Sequence, residues 1–179
     1  MTAMPACAHL RADHREMEAY LDHLLATLQR LSPELVPQAQ TVVCNIRRLA
    51  AIHFEKEESI FYPSLCPALL DLVTQMEQQH EEIRELEKHV AEMLSDPPQR
   101  PESRWLNDLR MFGTQFHDLI QHHIVDEEDH LLRLAESQLS GEDQERLATE
   151  MTTVHDRGIV NSTDEREPGE SGNATSTVL

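Results

Sequence analysis

The sequence is poor in the residues that build tight turns and sheets. It has 5 glycines in 179 residues, 1 tryptophan and 4% aromatics overall. Scarce glycine and few aromatics work against hairpin-rich sheets and favour helices. Paired cysteines are also missing. Cys7, Cys44 and Cys66 are an odd count, far apart, with no C-x-x-C. That excludes a disulfide framework and a cysteine zinc knuckle, and it predicts reduced thiols in a cytoplasmic protein. No stretch approaches the roughly 18 apolar residues of a membrane-spanning helix. Met1 to His14 contains no apolar signal segment, so the Asn161 and Asn173 glycosylation patterns read as chance matches. Basic residues are short as well. The 15 Lys and Arg face 33 Asp and Glu, for a net charge of −18. Such a chain is excluded from nucleic acid and from anionic membrane surfaces, both of which need clustered cations.

What the chain has in excess is histidine, 11 in all. Apolar periodicity places four of them. Helix one, Ala6 to Leu31, carries the stripe Leu10, Met17, Leu21, Leu24, Leu28 and Leu31, with His14 in its gap. Helix two, Pro37 to Tyr62, carries Val42, Val43, Ile46 and Ala50, then His53, Glu57 and Ile60. Helix three opens at Pro67 and runs Leu69, Val73, Met76, His80, Ile83, Leu86, Val90, Met93 before the Ser95-Asp-Pro-Pro loop. Helix four, Glu102 to Ser137, carries Leu106, Leu109, Gly113, Phe116, Ile120, His123, Glu127, Leu131 and Leu134. Ser140 then caps a short helix reaching His155, with Leu147, Met151 and Val154 inward. The expected fold is all-α: an antiparallel up-down-up-down four-helix bundle with a short C-terminal helix over residues 1–157. Residues 158–179, rich in Ser, Thr, Glu and Gly, read as a disordered tail.

Each helix thus sets one histidine in its apolar stripe: His14, His53, His80 and His123. Helices two and four repeat one device, H-x-x-x-E, as His53–Glu57 and His123–Glu127. A spacing of four puts both side chains on one face, one turn apart. A single histidine on an apolar face is usually a hydrogen-bonded core residue. Four of them with two carboxylates are another matter, because an unpaired ionised group in a core costs several kcal/mol. A metal cluster offsets that cost, since neutral imidazole and ionised carboxylate are its ligands. Four nitrogens, two bridging carboxylates and no thiolate suit two first-row ions: iron, with manganese as the other possibility. Counting up from the loops, His117 matches the level of the other three better than His123 does. It lies beside the stripe and has no glutamate at i+4, so His123 is preferred with His117 its competitor. Glu55, Glu58 and Glu128 read as solvated, with Glu58 and Glu128 the candidates to support or replace a ligand. The remaining histidines, His9, His23, His89, His122, His130 and His155, read as surface or rim groups, and Tyr62 lies near the pocket rim.

The strings Leu10-Arg-Ala-Asp-His14, His53-Phe-Glu-Lys-Glu57-Glu-Ser-Ile-Phe-Tyr-Pro63, His80-Glu-Glu-Ile and His123-Ile-Val-Asp-Glu127-Glu128, in this order, resemble the hemerythrin-like, or HHE cation-binding, family over Leu10 to Ala135. The resemblance is to the bacterial four-His, two-Glu type. It implies a four-helix bundle with an oxo- or hydroxo-bridged di-iron centre that meets O2, NO or peroxide. Oxygen-carrying members have a fifth histidine one turn after the third-helix ligand, where this chain has Arg84. They also place an aspartate in helix four at a spacing that points here to Glu128. Lacking the fifth histidine, both irons keep open positions, which favours redox turnover or sensing over reversible O2 carriage. The cysteine-bearing N-terminal segment of family members that repair iron–sulfur centres is matched only by Cys7. Stress defence, centre repair and a non-catalytic O2- or iron-sensing module all stay open, as do enzyme or non-enzyme, electron donor and oligomeric state.

Two rivals stand beside this reading. A ferritin-like oxidase needs Glu-x-x-His on two helices, which Glu77–His80 and Glu127–His130 offer, but helix one has no glutamate in its stripe. A zinc protease is excluded by the absence of H-E-x-x-H.

Overall fold

The computed structural model describes residues 5–99 and 102–163. The apolar stripes become helices α1 (Ala6–Gln29), α2 (Val36–Lys56), α3 (Leu70–Ser95) and α4 (Ser103–Asp126), followed by α5 (Arg133–Gln138) and α6 (Gly141–Thr163). No strand occurs among the described residues. Helix α1 packs on α2 and α4, and α3 packs on the same two. With short connections between consecutive helices, this is the expected up-down-up-down bundle. Gly113 lies where α4 comes closest to α1, and a Cβ there would stand 2.8 Å from Leu28 Cδ1. Helix α6 crosses one end of the bundle against α1 and α2. It continues past the expected end near His155 to Thr163. The part of the expected tail from residue 164 on lies outside the described residues.

Helices two and four are not uniform α-helices as expected. α2 passes into a π-helical turn, Glu57–Phe61, and α4 into another, Glu127–Leu132. Each turn inserts a residue into the helical repeat, so the apolar stripe slips by one position. The expected stripe residue Ile60 is only half-buried, while Phe61 and Tyr62 are buried. Likewise Leu134 is 41% exposed, and Leu132 and Ala135 are buried instead. Both corrections have this one cause.

Two apolar clusters fill the interior. One, including Leu21, Leu24, Ile46, Ile83 and Phe116, packs the loop end of α1 and α2. The other joins Cys7, Leu10, Phe61, Met76 and Leu132 to Leu147 and Met151 of α6. Each fully buried Leu or Phe contributes about 1.5–3 kcal/mol. The two clusters flank a polar layer, which α6 helps to seal from water. None of the helices among the described residues is long and apolar enough to cross a membrane.

Candidate metal centre

The polar layer consists of His14, His53, Glu57, His80, His123 and Glu127, each no more than 1% exposed. α1 supplies His14, α2 His53, α3 His80 and α4 His123, and the two glutamates open the two π-turns. All six candidate residues therefore meet. The competitor His117 does not join them; it is held by Asp118 on the flank of α4. His123 reaches the common level because the first turns of α4 overshoot the end of α1. Arg110, not Ser103, stands level with that end, donating from Nε to the Leu28 carbonyl and from Nη2 to that of Leu31. The ferritin-like pattern fails, because Glu77 and His130 are both exposed.

The imidazoles point their Nε2 atoms inward in pairs. His14 and His53 bring these atoms to 2.9 Å, and His80 and His123 to 3.2 Å. Their outer nitrogens are all occupied. His14 Nδ1–H donates to Glu128 at 2.9 Å, and His53 Nδ1–H to Asp13 at 3.4 Å. His80 Nδ1–H donates to Glu58 at 2.7 Å, and His123 Nδ1–H to the Gln79 carbonyl oxygen at 3.0 Å. These partner atoms accept only, so each Nδ1 carries the hydrogen, and each Nε2 is left to present a lone pair to a metal or, in the metal-free chain, to take the proton that His53 holds. Two lone pairs about 3 Å apart repel, unless a cation about 2.1 Å from both shares them. The supports close a ring around the bundle: α1 supports α2, the turn after α2 supports α3, α3 supports α4, and the turn after α4 supports α1. Each supporting residue stands next in sequence to a residue of the layer.

The carboxylates fit the same cation. Glu57 Oε1 lies 3.1 Å from His53 Nε2 and its Oε2 3.2 Å from His80 Nε2. Glu127 Oε2 lies 3.0 Å from His14 Nε2. All four carboxylate oxygens are buried without a hydrogen-bond partner of good geometry. Leaving them so is costly, and a metal ion is the group that satisfies them. The donors fall into two sets able to hold an ion, one of His14, His53, Glu57 and Glu127, the other of Glu57, His80 and His123. Glu57 belongs to both.

The charges follow from this crowding. Burial opposes a charge on His53, but Glu57, Asp13 and Glu127 outweigh it and raise its pKa to about 10. A proton there supplies the positive charge that the layer demands. Burial pushes His123 down to about 3, with the positive neighbourhood of His80, His53 and His14 adding to it against the pull of Glu57. Burial opposes charge on Glu57 too, yet His53 and His80 hold it well below the usual carboxylate range. Burial and then the charge of Glu57 raise Glu127. Against its own burial, Asp13 is held at about 2 by His53 and by Lys56, whose buried Nζ donates to it at 2.7 Å.

Glu58 and Glu128, read as solvated with a possible supporting part, are half-buried supports, and Glu127 rather than Glu128 enters the layer. Asp13, Gln79, Lys56 and the burial of Tyr62 were missed. Asp13 and Gln79 carried a signal, since each is an acceptor immediately before a stripe histidine. Of the three cysteines, Cys7 is buried, its thiol pushed up to about 12 by burial, and Cys44 and Cys66 are exposed and free. None joins the layer.

Comparison with curated proteins finds no match. Comparison with protein families finds one described as the hemerythrin HHE cation-binding domain, matching residues 6–135.

Proposed function

The chain belongs to the hemerythrin HHE cation-binding domain family, and from that premise we propose that its six buried donors hold two iron ions that react with O2, NO or peroxide. The observation that carries the reading is the convergence of four imidazole Nε2 atoms with four carboxylate oxygens that have no hydrogen-bond partner, all in one buried layer. Nitrogen and carboxylate without thiolate suit iron, with manganese the other candidate. When bound, such a pair supplies one-electron steps and open positions for a small ligand.

The chain's own residues do the rest. Glu57, shared by both donor sets, would serve both ions, and Glu127 would serve the first. Asp13, Glu58, Gln79 and Glu128 fix the imidazole tautomers and orientations, which raises their basicity as ligands. The apolar clusters on either side exclude water. Arg84 takes the place of a fifth histidine and turns outward to Glu58 and Glu81, so it fills no ligand position. A cavity of about 220 Å³ between α2 and α3 is walled by Ala50, Ala51, Phe54, Ile83 and Phe116 and rimmed by Arg47, Arg84 and Glu87; Phe54 separates it from His80. Phe54 also stacks on His80 at 3.8 Å between ring centroids. The net charge of −18 disfavours nucleic acid as a partner. Exposed free cysteines suit a reducing compartment such as the cytoplasm.

The test is consumption of NO and of hydrogen peroxide by iron-loaded protein, with an electron donor present. Turnover of either supports the reading. Tight binding of NO with no turnover of any of the three molecules assigns the chain to sensing instead.

A further inference from the structure

The two π-turns repeat one device with one difference. A π-helical step from i to i+5 returns near the face of the starting residue, whereas an α-helical one ends far round the side. After Glu57 that step arrives at Tyr62, whose backbone N–H donates to the Glu57 carbonyl. After Glu127 it arrives at Leu132. Both side chains are buried in the same apolar cluster. Leu132 asks for nothing more. Tyr62 is 5% exposed, and its buried hydroxyl lies within reach of Glu57 but makes no hydrogen bond of good geometry. Leaving a buried hydroxyl without a good hydrogen bond is costly, and a phenylalanine would avoid that cost.

The ring lies over His80, centroids 6.0 Å apart and planes at 20°. The hydroxyl stands in the field of the layer's carboxylates. A phenol hydroxyl is a donor at neutral pH. The set beside it, Glu57, His80 and His123, offers three side-chain donors against four in the other set. An ion there keeps more positions for an outside ligand.

We propose that the Tyr62 hydroxyl donates a hydrogen bond to a small anionic or oxygen-atom ligand seated at the ion held by Glu57, His80 and His123. This rests on the di-iron reading above. The leucine at the matching place in the second turn makes the donor one-sided, so the small ligand is held at one ion of the pair.

The experiment uses azide as the probe. Wild type, Tyr62→Phe and Leu132→Met are loaded with iron, oxidised and titrated with azide by visible absorption, with iron content measured in parallel. Vibrational spectra of the azide complex are taken in light and heavy water. Tyr62→Phe is expected to keep its iron and to bind azide about tenfold more weakly, the size of one hydrogen bond to a charged acceptor. It should also lose the heavy-water shift of the azide stretch, and Leu132→Met should match wild type. Equal azide affinity in Tyr62→Phe, loss of its iron, or equal weakening in Leu132→Met overturns the proposal. A wild type that takes up no iron contradicts the di-iron reading itself, which separates the two failures.

Discussion

The two halves of the polar layer are built to one plan and finished differently. In the first, His14 and His53 are both supported by carboxylates, Glu128 and Asp13, and Asp13 is held in turn by the buried ammonium of Lys56. In the second, His80 leans on Glu58, which pairs with the half-exposed Arg84, while His123 leans on a neutral amide, Gln79. Asp13 is one of the groups that raise His53 to about 10, whereas burial lowers His123 to about 3. An imidazole donating to a carboxylate is the stronger ligand. On the di-iron proposal the first half would hold its ion more tightly, and the second, with fewer donors, would be the more open one. A near-symmetric bundle would then hold two unlike ions through residues that do not themselves belong to the layer.

The largest effects break the layer itself. Glu57 is common to both donor sets, so Glu57→Ala is expected to lose nearly all bound iron. Glu127→Ala leaves the first set three donors, as many as the second has, and is expected to hold the first ion more weakly while the second is kept. Elemental analysis of both variants, with circular dichroism to confirm folding, checks the pair. Lys56→Met comes next. It strands Asp13, whose side chain is 24% exposed and relaxes partly into water. The expected cost is therefore about 2 kcal/mol, below the 3–5 typical when a fully buried pair is broken. Urea unfolding of the metal-free chain measures it.

A pH comparison follows. His53 has a folded pKa of about 10, above its unfolded value near 6.5. Its contribution in the metal-free chain is present below pH 6.5 and is lost as pH rises toward 10. Bound metal replaces that proton, so the loaded chain should lack the loss. Unfolding at pH 6 and pH 9, with and without metal, tests the sign. The smallest change sharpens the contrast by erasing it. Gln79→Glu gives His123 a carboxylate support but removes the amide that donates to Asp126, so the two iron environments are expected to converge at a cost of about 1–2 kcal/mol in stability. Spectra of the iron centre read this out.

Much of this was legible in the sequence because α-helical periodicity is strict. Stripes with four histidines and two glutamates at fixed spacing located every residue of the layer and the bundle around it. Reading failed where that periodicity fails. Nothing in the pattern announces a π-turn, so Ile60 and Leu134 were assigned inward and Tyr62 only to a rim. The supports were legible only in part. Glu58 and Glu128 follow layer glutamates and were noticed for that. Asp13 and Gln79 act across to the neighbouring helix, which depends on how far each helix is rotated in the bundle. The level of His123 was ambiguous for a similar reason, since the overshoot of α4 past α1 is set by the packing of Arg110 and Gly113 and by no local signal.

The most direct test of the account is Mössbauer spectroscopy of wild-type protein loaded with enriched iron, with total iron counted on the same sample. The account predicts two irons per chain and two quadrupole doublets of equal area, one for each half of the layer. A folded chain that binds no iron, or two irons giving one doublet, would contradict it.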